Sequence, residues 1–298
     1  MKLCRLFLLL LPFLGVAGPA RAEVGEPLRS VVSAELPGRS ISALVMQQAG
    51  AGPFSRLVLL FPGHPGIMKI QSADQFDLGA NFLIRSAPLW LDRNTVVAAV
   101  DAPSDQWCCF NGAFRASGRY AEELVALNAR LSERFGPIPR VIVGTGEGSV
   151  SAYHAALALG RSASQVIFTA SLFDSSPSAR GLATMDMRRI QRPVLWVHHR
   201  NDACGPAPYW KAERVAGRSE APLITVLGGS TEDDDGCQPL SAHGFAGVEQ
   251  ATVAAVKQWL DNGLVRDVGL LAPELEPVQG AAQLAGLEDN PARSPRQE

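Results

Sequence analysis

Apolar runs of strand length alternate along this chain with segments of helical periodicity. The runs are RLVLLFPG, TVVAAVDAP, RVIVGTG, SQVIFTASL, RPVLWVHHRND and PLITVLGGS. Most are continuously apolar, which is typical of parallel strands that are buried on both faces of a sheet. The helical segments are RYAEELVALNARLSERF, SVSAYHAALALG, PYWKAERVAG and GVEQATVAAVKQWLDNG. This alternation predicts an α/β domain with a mostly parallel central sheet flanked by helices.

An antiparallel hairpin is predicted in front of these strands. The runs RSVVSAEL and SALVMQQ flank the turn signal Pro37-Gly38-Arg39. The segment 172–190 between two later strands is too short for a large lid domain. With 298 residues, the chain is long enough for one large α/β domain or two small ones.

The first 22 residues have the pattern of a secretory signal peptide. Lys2 and Arg5 supply a basic region, LFLLLLPFLGVA is apolar, and Ala20-Arg21-Ala22 is a small-x-small cleavage signal. About a dozen apolar residues broken by Pro12 are too few to span a bilayer. We therefore expect cleavage before Glu23, a secreted or periplasmic protein, and no membrane anchor after the signal peptide is removed.

The two ends of the chain frame a domain over residues 23–262. Residues 263–298 are rich in Pro, Gly and acidic residues without steady periodicity, so we expect a largely disordered tail with a short helix near GAAQLAGL. The formal net charge is -2, and no basic block or basic patch with interleaved aromatics is present. Nucleic acid is therefore not an expected partner.

The segment VIVGTGEGSVSA, residues 141–152, is the most informative about function. An apolar strand enters a glycine-dense bend and continues as a helix, which is the setting of the G-x-S-x-G nucleophile elbow. Here the five letters are Gly144-Thr145-Gly146-Glu147-Gly148, so glycine stands where the motif has serine. Glycine adopts the strained backbone of such a turn freely, but it supplies no nucleophile.

Further polar residues follow other strands of the predicted sheet, and ligands of open α/β sheets bind beyond the carboxyl ends of strands. The loop Pro62–Gly66 follows one strand, Asn201-Asp202 follows another, and Ser241-Ala242-His243 comes after the last. The chain order elbow, acid, histidine is that of the α/β-hydrolases. From about residue 30 to residue 262, the sequence resembles this superfamily.

The resemblance implies a triad of Gly146, Asp202 and His243 that lacks the serine nucleophile. Asp202 matches the acid, His243 matches the base, and Gly146 holds the position of the nucleophile. Each match has a plainer alternative. Asp202 is also suited to capping the helix that follows it, and His243 is also typical of a polar loop.

The resemblance also implies an oxyanion hole built from two backbone N–H groups. One belongs to Glu147, which follows the elbow position, and the other to the loop Pro62–Gly66. His64 is the better donor in that loop because Pro65 has no N–H. The plainer alternative is that this glycine-rich loop is only a turn.

Four cysteines remain after signal-peptide removal, namely Cys108, Cys109, Cys204 and Cys237. An oxidising compartment permits disulfides, and four cysteines allow three connectivities. A bond between neighbours such as Cys108 and Cys109 needs strained geometry. We favour Cys204–Cys237, because these residues lie on the two loops that carry the matched acid and histidine.

Three substitutes for the elbow serine are open. Ser149 lies three positions beyond Gly146, but Glu147 and Ser151 stand where the motif around it would need glycines. Cys108 or Cys109 follows a neighbouring strand. The third route uses His243 and Asp202 to activate water, and general-base catalysis of this kind is worth about 10²–10⁴-fold.

No cofactor or metal is expected. His198 and His199 end a strand, but no H-x-x-x-H or C-x-x-C spacing accompanies them. The run EDDDG at 232–236 lacks the alternating spacing of an EF-hand loop.

Two functions follow from these residues. One is a secreted hydrolase of a small ester or acyl ligand, with weak or altered activity. The other is a catalytically inactive pseudo-hydrolase that binds a small ligand or a protein partner. The fold does not choose between them, because function depends on the site.

Overall fold

The computed structural model of the chain describes residues 26–175, 180–230 and 235–269. The predicted signal peptide, residues 1–22, lies outside the described residues, as does the part of the predicted tail from 270 onward, including GAAQLAGL. The described strands form one eight-stranded sheet in the order β1-β2-β4-β3-β5-β6-β7-β8. They are β1 (Leu28–Leu36), β2 (Arg39–Gln47), β3 (Arg56–Phe61), β4 (Thr95–Val100), β5 (Arg140–Gly146), β6 (Ala163–Ser171), β7 (Val194–His199) and β8 (Leu223–Val226).

The sheet is parallel except at one edge. β1 and β2 form the predicted antiparallel hairpin, and β2 pairs antiparallel with β4. The pairs β3–β4, β3–β5, β5–β6, β6–β7 and β7–β8 are all parallel. The carboxyl ends of β3 to β8 therefore meet at one edge of the sheet, where strand-end residues come together.

Helices cover both faces of the sheet. They are α1 (Phe82–Arg85), α2 (Gly112–Arg115), α3 (Gly118–Phe135), α4 (Gly148–Leu159), α5 (Tyr209–Ser219) and α6 (Glu249–Asn262). One apolar core joins α3, α4 and α5 to the sheet, and a second core joins α1 and α6 to the opposite face. Alternate residues of a strand face opposite sides, so Val96 and Ala98 of β4 enter the first core, and Val97 and Ala99 enter the second. This confirms the predicted fold class.

The described residues contain no large lid domain. In the described parts of the β6–β7 connection, residues 172–175 and 180–193, the helical elements are two short 3₁₀ turns, Leu182–Thr184 and Met187–Arg189. No helix in the described ranges is both long and apolar enough to cross a bilayer.

The sheet edge continues beyond the domain boundary expected at residue 262. Val268 forms a parallel bridge with Val226 of β8. Its N–H donates to Thr225 O at 2.8 Å, and its carbonyl accepts from Leu227 N at 2.8 Å. The Asp267 carboxylate also accepts from Thr225 N at 2.7 Å. Residues up to 269 thus pack against the edge strand.

Glycine at the start of α4 lets this helix begin directly over β3. A Cβ atom on Gly148 would collide with the carbonyl oxygens of Phe61 and Pro62. Both obstacles are backbone atoms at the end of β3, so they cannot rotate away. The absence of a side chain at 148 therefore fixes how closely the elbow approaches the loop after β3.

We predict that Gly148→Ala lowers the free energy of unfolding by about 1–3 kcal/mol, because overpacking at backbone forces the helix away from the strand. Gly118→Ala is the matched control, since Gly118 also begins a helix and a Cβ there has no atom within 4 Å. Urea denaturation of both variants measures the effect. Equal stability of Gly148→Ala and the wild type would contradict the prediction.

Candidate active site

The elbow places Gly146 at the carboxyl end of β5, with α4 starting two residues later. Gly146 has φ +53°, in the left-handed region that glycine adopts without strain. Its carbonyl oxygen accepts hydrogen bonds from the Leu172 N–H at 3.2 Å and from the Ser149 hydroxyl at 2.6 Å. The backbone of the turn is therefore held firmly.

Ser149 does not offer a free hydroxyl to the cleft. Its side chain is fully buried. Besides donating to Gly146 O, Ser149 Oγ accepts from the Leu172 N–H at 3.3 Å. These contacts give Ser149 a structural role in the turn, and they argue against it as a substitute nucleophile.

Asp202 and His243 meet at the carboxyl edge of the sheet. Asp202 follows β7, and its Oδ2 lies 2.9 Å from His243 Nδ1. A carboxylate only accepts, so this bond places the imidazole proton on Nδ1. His243 lies in a 3₁₀ turn (Ala242–Gly244). Ser241 caps the start of this turn, because its Oγ accepts from the His243 N–H at 3.2 Å.

His243 Nε2 faces Gly146. A Cβ atom placed on Gly146 would lie 3.6 Å from His243 Nε2 and 3.7 Å from Gly63 Cα. Both separations are ordinary van der Waals contacts. A small side chain at this position, or a water molecule beside the glycine, would therefore be within reach of the imidazole.

A second histidine contacts the same carboxylate and was not anticipated in this role. His198 is buried at the end of β7, with Nε2 3.1 Å from Asp202 Oδ2 and 2.7 Å from Ala207 O. Burial alone would raise the pKa of Asp202, but the hydrogen bonds from His198 and His243 outweigh it and lower the pKa. The spacing of four residues between His198 and Asp202 is the one sequence signal for this contact.

The backbone groups expected to bind an oxyanion lie beside the elbow. Among the described residues, no acceptor takes the backbone N–H of His64 or of Glu147. Gly63 packs so closely on the elbow that a Cβ there would lie 3.0 Å from Thr145 O. The His64 side chain is exposed, and its Nδ1 lies 3.4 Å from Glu147 Oε2.

Buried Arg115 supports the loop that carries His64. Its Nη2 donates to Pro65 O at 3.1 Å, its Nη1 donates to Ser151 Oγ at 2.9 Å, and its guanidinium lies 3.9 Å from the centroid of the Phe110 ring. Burial lowers the pKa of Arg115, while the nearby Glu147 carboxylate acts in the opposite direction. Sequence reasoning missed Arg115, because no local motif marks it.

Asp101, at the end of β4, holds the next part of the same loop. Its carboxylate accepts from the N–H groups of Met68 at 2.6 Å, Ile70 at 3.0 Å and Ala102 at 2.7 Å. Burial raises the pKa of Asp101 despite these backbone hydrogen bonds, which act to lower it. Together with Arg115, this residue fixes the loop across from the elbow.

The elbow, His64 and His243 open into a single cleft of about 480 Å³. Its walls are largely apolar, with a few polar groups at the base and rim. The apolar lining comes from Leu78, Phe82, Leu172, Pro206, Ala207 and Pro239. A cleft of this size and character suits a small, mostly apolar ligand.

Both disulfides of the described chain are formed, and they differ in position. Cys204 is bonded to Cys237, as favoured from the sequence, and both residues line the cleft. Cys108 is bonded to Cys109, the neighbour pairing that strain disfavours. The latter two are exposed and do not line the cleft, so they are not nucleophiles for His243.

Donor atoms of Asp202, Cys204 and His243 lie within 4.8 Å of one another. Cys204 is in a disulfide, so it offers no thiolate to a metal ion, and two donors remain. His199 is also occupied, with Nε2 3.0 Å from Gly228 O and Nδ1 accepting from the Asn201 N–H at 3.1 Å.

The lowered pKa of Asp202 predicts how stability depends on pH. Because the folded pKa lies below the ordinary value of 3.8, the charged carboxylate stabilises the folded state above pH 3.8. This contribution is lost as the pH falls through the folded pKa. We expect the free energy of unfolding of the wild type to fall more steeply than that of Asp202→Asn between about pH 5 and pH 2, as measured by urea denaturation.

Asp101→Asn is the control of opposite sign. The pKa of Asp101 is raised, so its stabilising contribution is present at low pH and is lost as the pH rises. On acidification, the free energy of unfolding of the wild type should therefore fall less steeply than that of Asp101→Asn. Parallel pH profiles for the wild type and Asp202→Asn would contradict the prediction.

Comparison with known proteins gives no match by sequence, since no family model and no curated protein matches the chain. The fold is similar to that of several solved structures. Dienelactone hydrolase from Anabaena variabilis has a TM-score of 0.58 at 13% identity, covering 80% of this chain and 99% of the other. Est1E from Butyrivibrio proteoclasticus has a TM-score of 0.55 at 11% identity, covering 78% and 98%.

A third structure is an α/β serine hydrolase without a lid, from Xanthomonas campestris. Its TM-score is 0.51 at 15% identity, and the match covers 79% of this chain and 95% of the other. At such identities the likeness is one of fold, and it agrees with the strand order and the short β6–β7 connection described above. The chain therefore has the α/β-hydrolase fold, as its motifs predict.

Proposed function

We propose that this protein hydrolyses small esters or related acyl compounds slowly, with a water molecule that His243 and Asp202 activate. The observation that carries the proposal is the space beside Gly146. His243 Nε2 lies 3.6 Å from the position a Cβ would take there, and Nδ1 is bound to Asp202. A base with a fixed tautomer thus faces a position that water can occupy.

The reaction follows from these groups. His243 Nε2 takes a proton from the water as the oxygen attacks the ester carbonyl carbon. The backbone N–H groups of Glu147 and His64, which donate to no acceptor among the described residues and lie in the elbow and in the loop packed on it, are the donors we assign to the negative oxygen that develops. His243 then returns the proton to the leaving alcohol, while Asp202 stabilises the imidazolium between the two transfers.

Two further observations support an ester or acyl substrate. The cleft is largely apolar, which suits an uncharged acyl chain. The structures that share the fold include a dienelactone hydrolase and an α/β serine hydrolase. Without a covalent nucleophile, the general-base contribution is about 10²–10⁴-fold, so the activity we propose is weak.

The second candidate is a pseudo-hydrolase that binds a small ligand or a protein partner without turnover. This candidate is favoured by the bonding of two residues near the elbow that could otherwise act as nucleophiles. Ser149 is held by backbone groups, and Cys204 is in a disulfide. In this alternative the same apolar cleft retains its ligand unchanged.

We also propose that the protein is exported. The support is the basic, apolar and small-x-small pattern of residues 1–22, together with two disulfides, which form in oxidising compartments. We expect the protein purified from its native compartment to begin at Glu23, as measured by intact mass spectrometry. A retained residue 1–22 segment would contradict export by this route.

The hydrolase proposal predicts a specific loss of activity. On a panel of activated short-chain esters, the wild type should show slow hydrolysis that His243→Gln reduces by about 10²-fold or more, because the base is removed. The measurement is initial rate above the buffer background. His154→Gln, at a half-buried position on α4 outside the cleft lining, is the control and should hydrolyse at the wild-type rate. If the wild type and His243→Gln hydrolyse at the same rate, the hydrolase proposal is wrong and the ligand-binding pseudo-hydrolase is favoured.

Gly146→Ser tests whether the rest of the machinery is competent. A serine Cβ fits beside His243 Nε2, so the imidazole would be in position to take the proton of the new hydroxyl. We expect activity on esters to rise by a few orders of magnitude, on the order of 10²–10⁴-fold, and a fluorophosphonate probe to label residue 146. The positive φ should cost stability by about 1–3 kcal/mol. No gain and no labelling would show that the pocket has diverged beyond the missing side chain.

A further inference from the structure

We propose that the Cys204–Cys237 disulfide is a reactive group of the cleft, which exchanges with small thiols while His243 transfers the proton. This activity does not depend on ester hydrolysis. The disulfide is a covalently reactive group placed beside the histidine and the carboxylate. Three observations carry the proposal: the unequal exposure of the two cysteine residues, the position of His243, and the charges around Cys237.

The two cysteines are exposed to different degrees. Cys204 is buried, with 6% of its surface exposed, whereas Cys237 is exposed at the cleft rim. Both line the cleft that contains Gly146 and His243. Since Cys237 is the more exposed residue of the two, an entering thiol attacks Cys237 in our proposal, and the sulfur of Cys204 is the leaving group.

The leaving sulfur lies beside the acid and the histidine. Cys204 Sγ, a carboxylate oxygen of Asp202 and a ring nitrogen of His243 are all within 4.8 Å of one another. Asp202 also accepts from the Cys204 N–H at 2.9 Å, which fixes the cysteine to the acid. His243 is therefore close enough to protonate Cys204 as the S–S bond breaks, which matters because the Asp202 carboxylate, equally close, opposes a lasting thiolate there.

The exchange balances without any other reactant. His243 takes the proton of the incoming thiol R–SH, and the resulting thiolate attacks Cys237 Sγ. A bond forms between R–S and Cys237 as the Cys204–Cys237 bond breaks, and its electron pair goes to Cys204. His243 then gives the proton to the Cys204 thiolate. A second thiol attacking the mixed disulfide releases R–S–S–R, so that two thiols are oxidised and the protein disulfide is reduced to two thiols.

The surroundings of Cys237 select the class of thiol. The exposed Asp235 carboxylate accepts from the Cys237 N–H at 3.0 Å, so a negative charge lies beside this cysteine; Glu147 is a second carboxylate elsewhere in the lining of the cleft. Negative charge near the attacked sulfur opposes an anionic thiol. The substrate class is therefore a small thiol that is uncharged or cationic, of a size suited to a cleft of about 480 Å³.

The experiment uses the full mature chain with both disulfides formed. The protein is treated with 2-mercaptoethanol for timed intervals, quenched in acid, alkylated, and mapped by peptide mass spectrometry. We expect the mixed disulfide on Cys237 and the new free thiol on Cys204. The exposed Cys108–Cys109 disulfide lies outside the cleft lining, so it reports uncatalysed exchange in the same sample.

His243→Gln should slow exchange at Cys237 by about 10–100-fold and leave exchange at Cys108–Cys109 unchanged. His154→Gln is the matched control and should keep the wild-type rate at both disulfides. Relative to the internal reference, cysteamine should react faster at Cys237 than 3-mercaptopropionate does, because the second is anionic.

Two results would overturn the proposal. One is a mixed disulfide on Cys204 rather than Cys237 in the wild type, which needs no variant and so does not depend on whether His243→Gln folds. The other is an exchange rate at Cys237 that His243→Gln leaves unchanged, which would mark the disulfide as a purely structural brace. Both results can be measured even if the protein does not hydrolyse esters. The thiol-exchange proposal and the hydrolase proposal can therefore be rejected independently.

Discussion

The close crossing of α4 over the end of β3 is the constraint on which the rest of the site depends. Neither Gly144 nor Gly148 has room for a Cβ atom, because backbone carbonyls and the next turn of α4 occupy the space. The positive φ of Gly146 completes the turn between them. This geometry brings the elbow against the loop after β3, and Arg115 and Asp101 then hold that loop in place. Gly146 has no side chain to act as a nucleophile, yet the backbone turn of the elbow is intact.

The second organising interaction is the buried carboxylate of Asp202, which two histidines share. His198 contacts it from the strand, and His243 contacts it from the loop after β8. Removing a carboxylate from water is costly unless donors replace the lost hydration, and these two rings together with the Cys204 N–H provide that replacement. The acid thus orients His243, and His198 in turn fixes the acid. The pKa of Asp202 is lowered because these hydrogen bonds outweigh the effect of burial, which raises it.

The fold and part of this site could be predicted from the sequence, because the patterns that indicate them lie within short segments of the chain. Apolar runs indicate buried strands, and the residues after strand ends indicate the ligand-binding edge, so the sequence points to Gly146, Asp202 and His243 as candidates, and the structure brings the three together. The contacts of His198 and Arg115 could not be predicted, because they depend on which distant backbone atoms bury them. The four-residue helices α1 and α2 are too short to show helical periodicity. The Cys108–Cys109 bond was disfavoured by general strain, and the structure contains it.

With glycine at the elbow, the chemistry of the cleft depends on what else His243 can reach. In the described lining, the disulfide sulfur of Cys204 lies within 4.8 Å of a ring nitrogen of this base, whereas Ser149 is buried and hydrogen-bonded. The same disulfide joins the loop of the acid to the loop of the histidine, and the Cys204 N–H binds Asp202 directly. Opening the disulfide would therefore release a restraint on both loops while placing a thiol beside the base. In the exchange proposed above, the redox state of the cleft would therefore affect the alignment of the Asp202–His243 pair, because the same disulfide joins the loops that carry both residues.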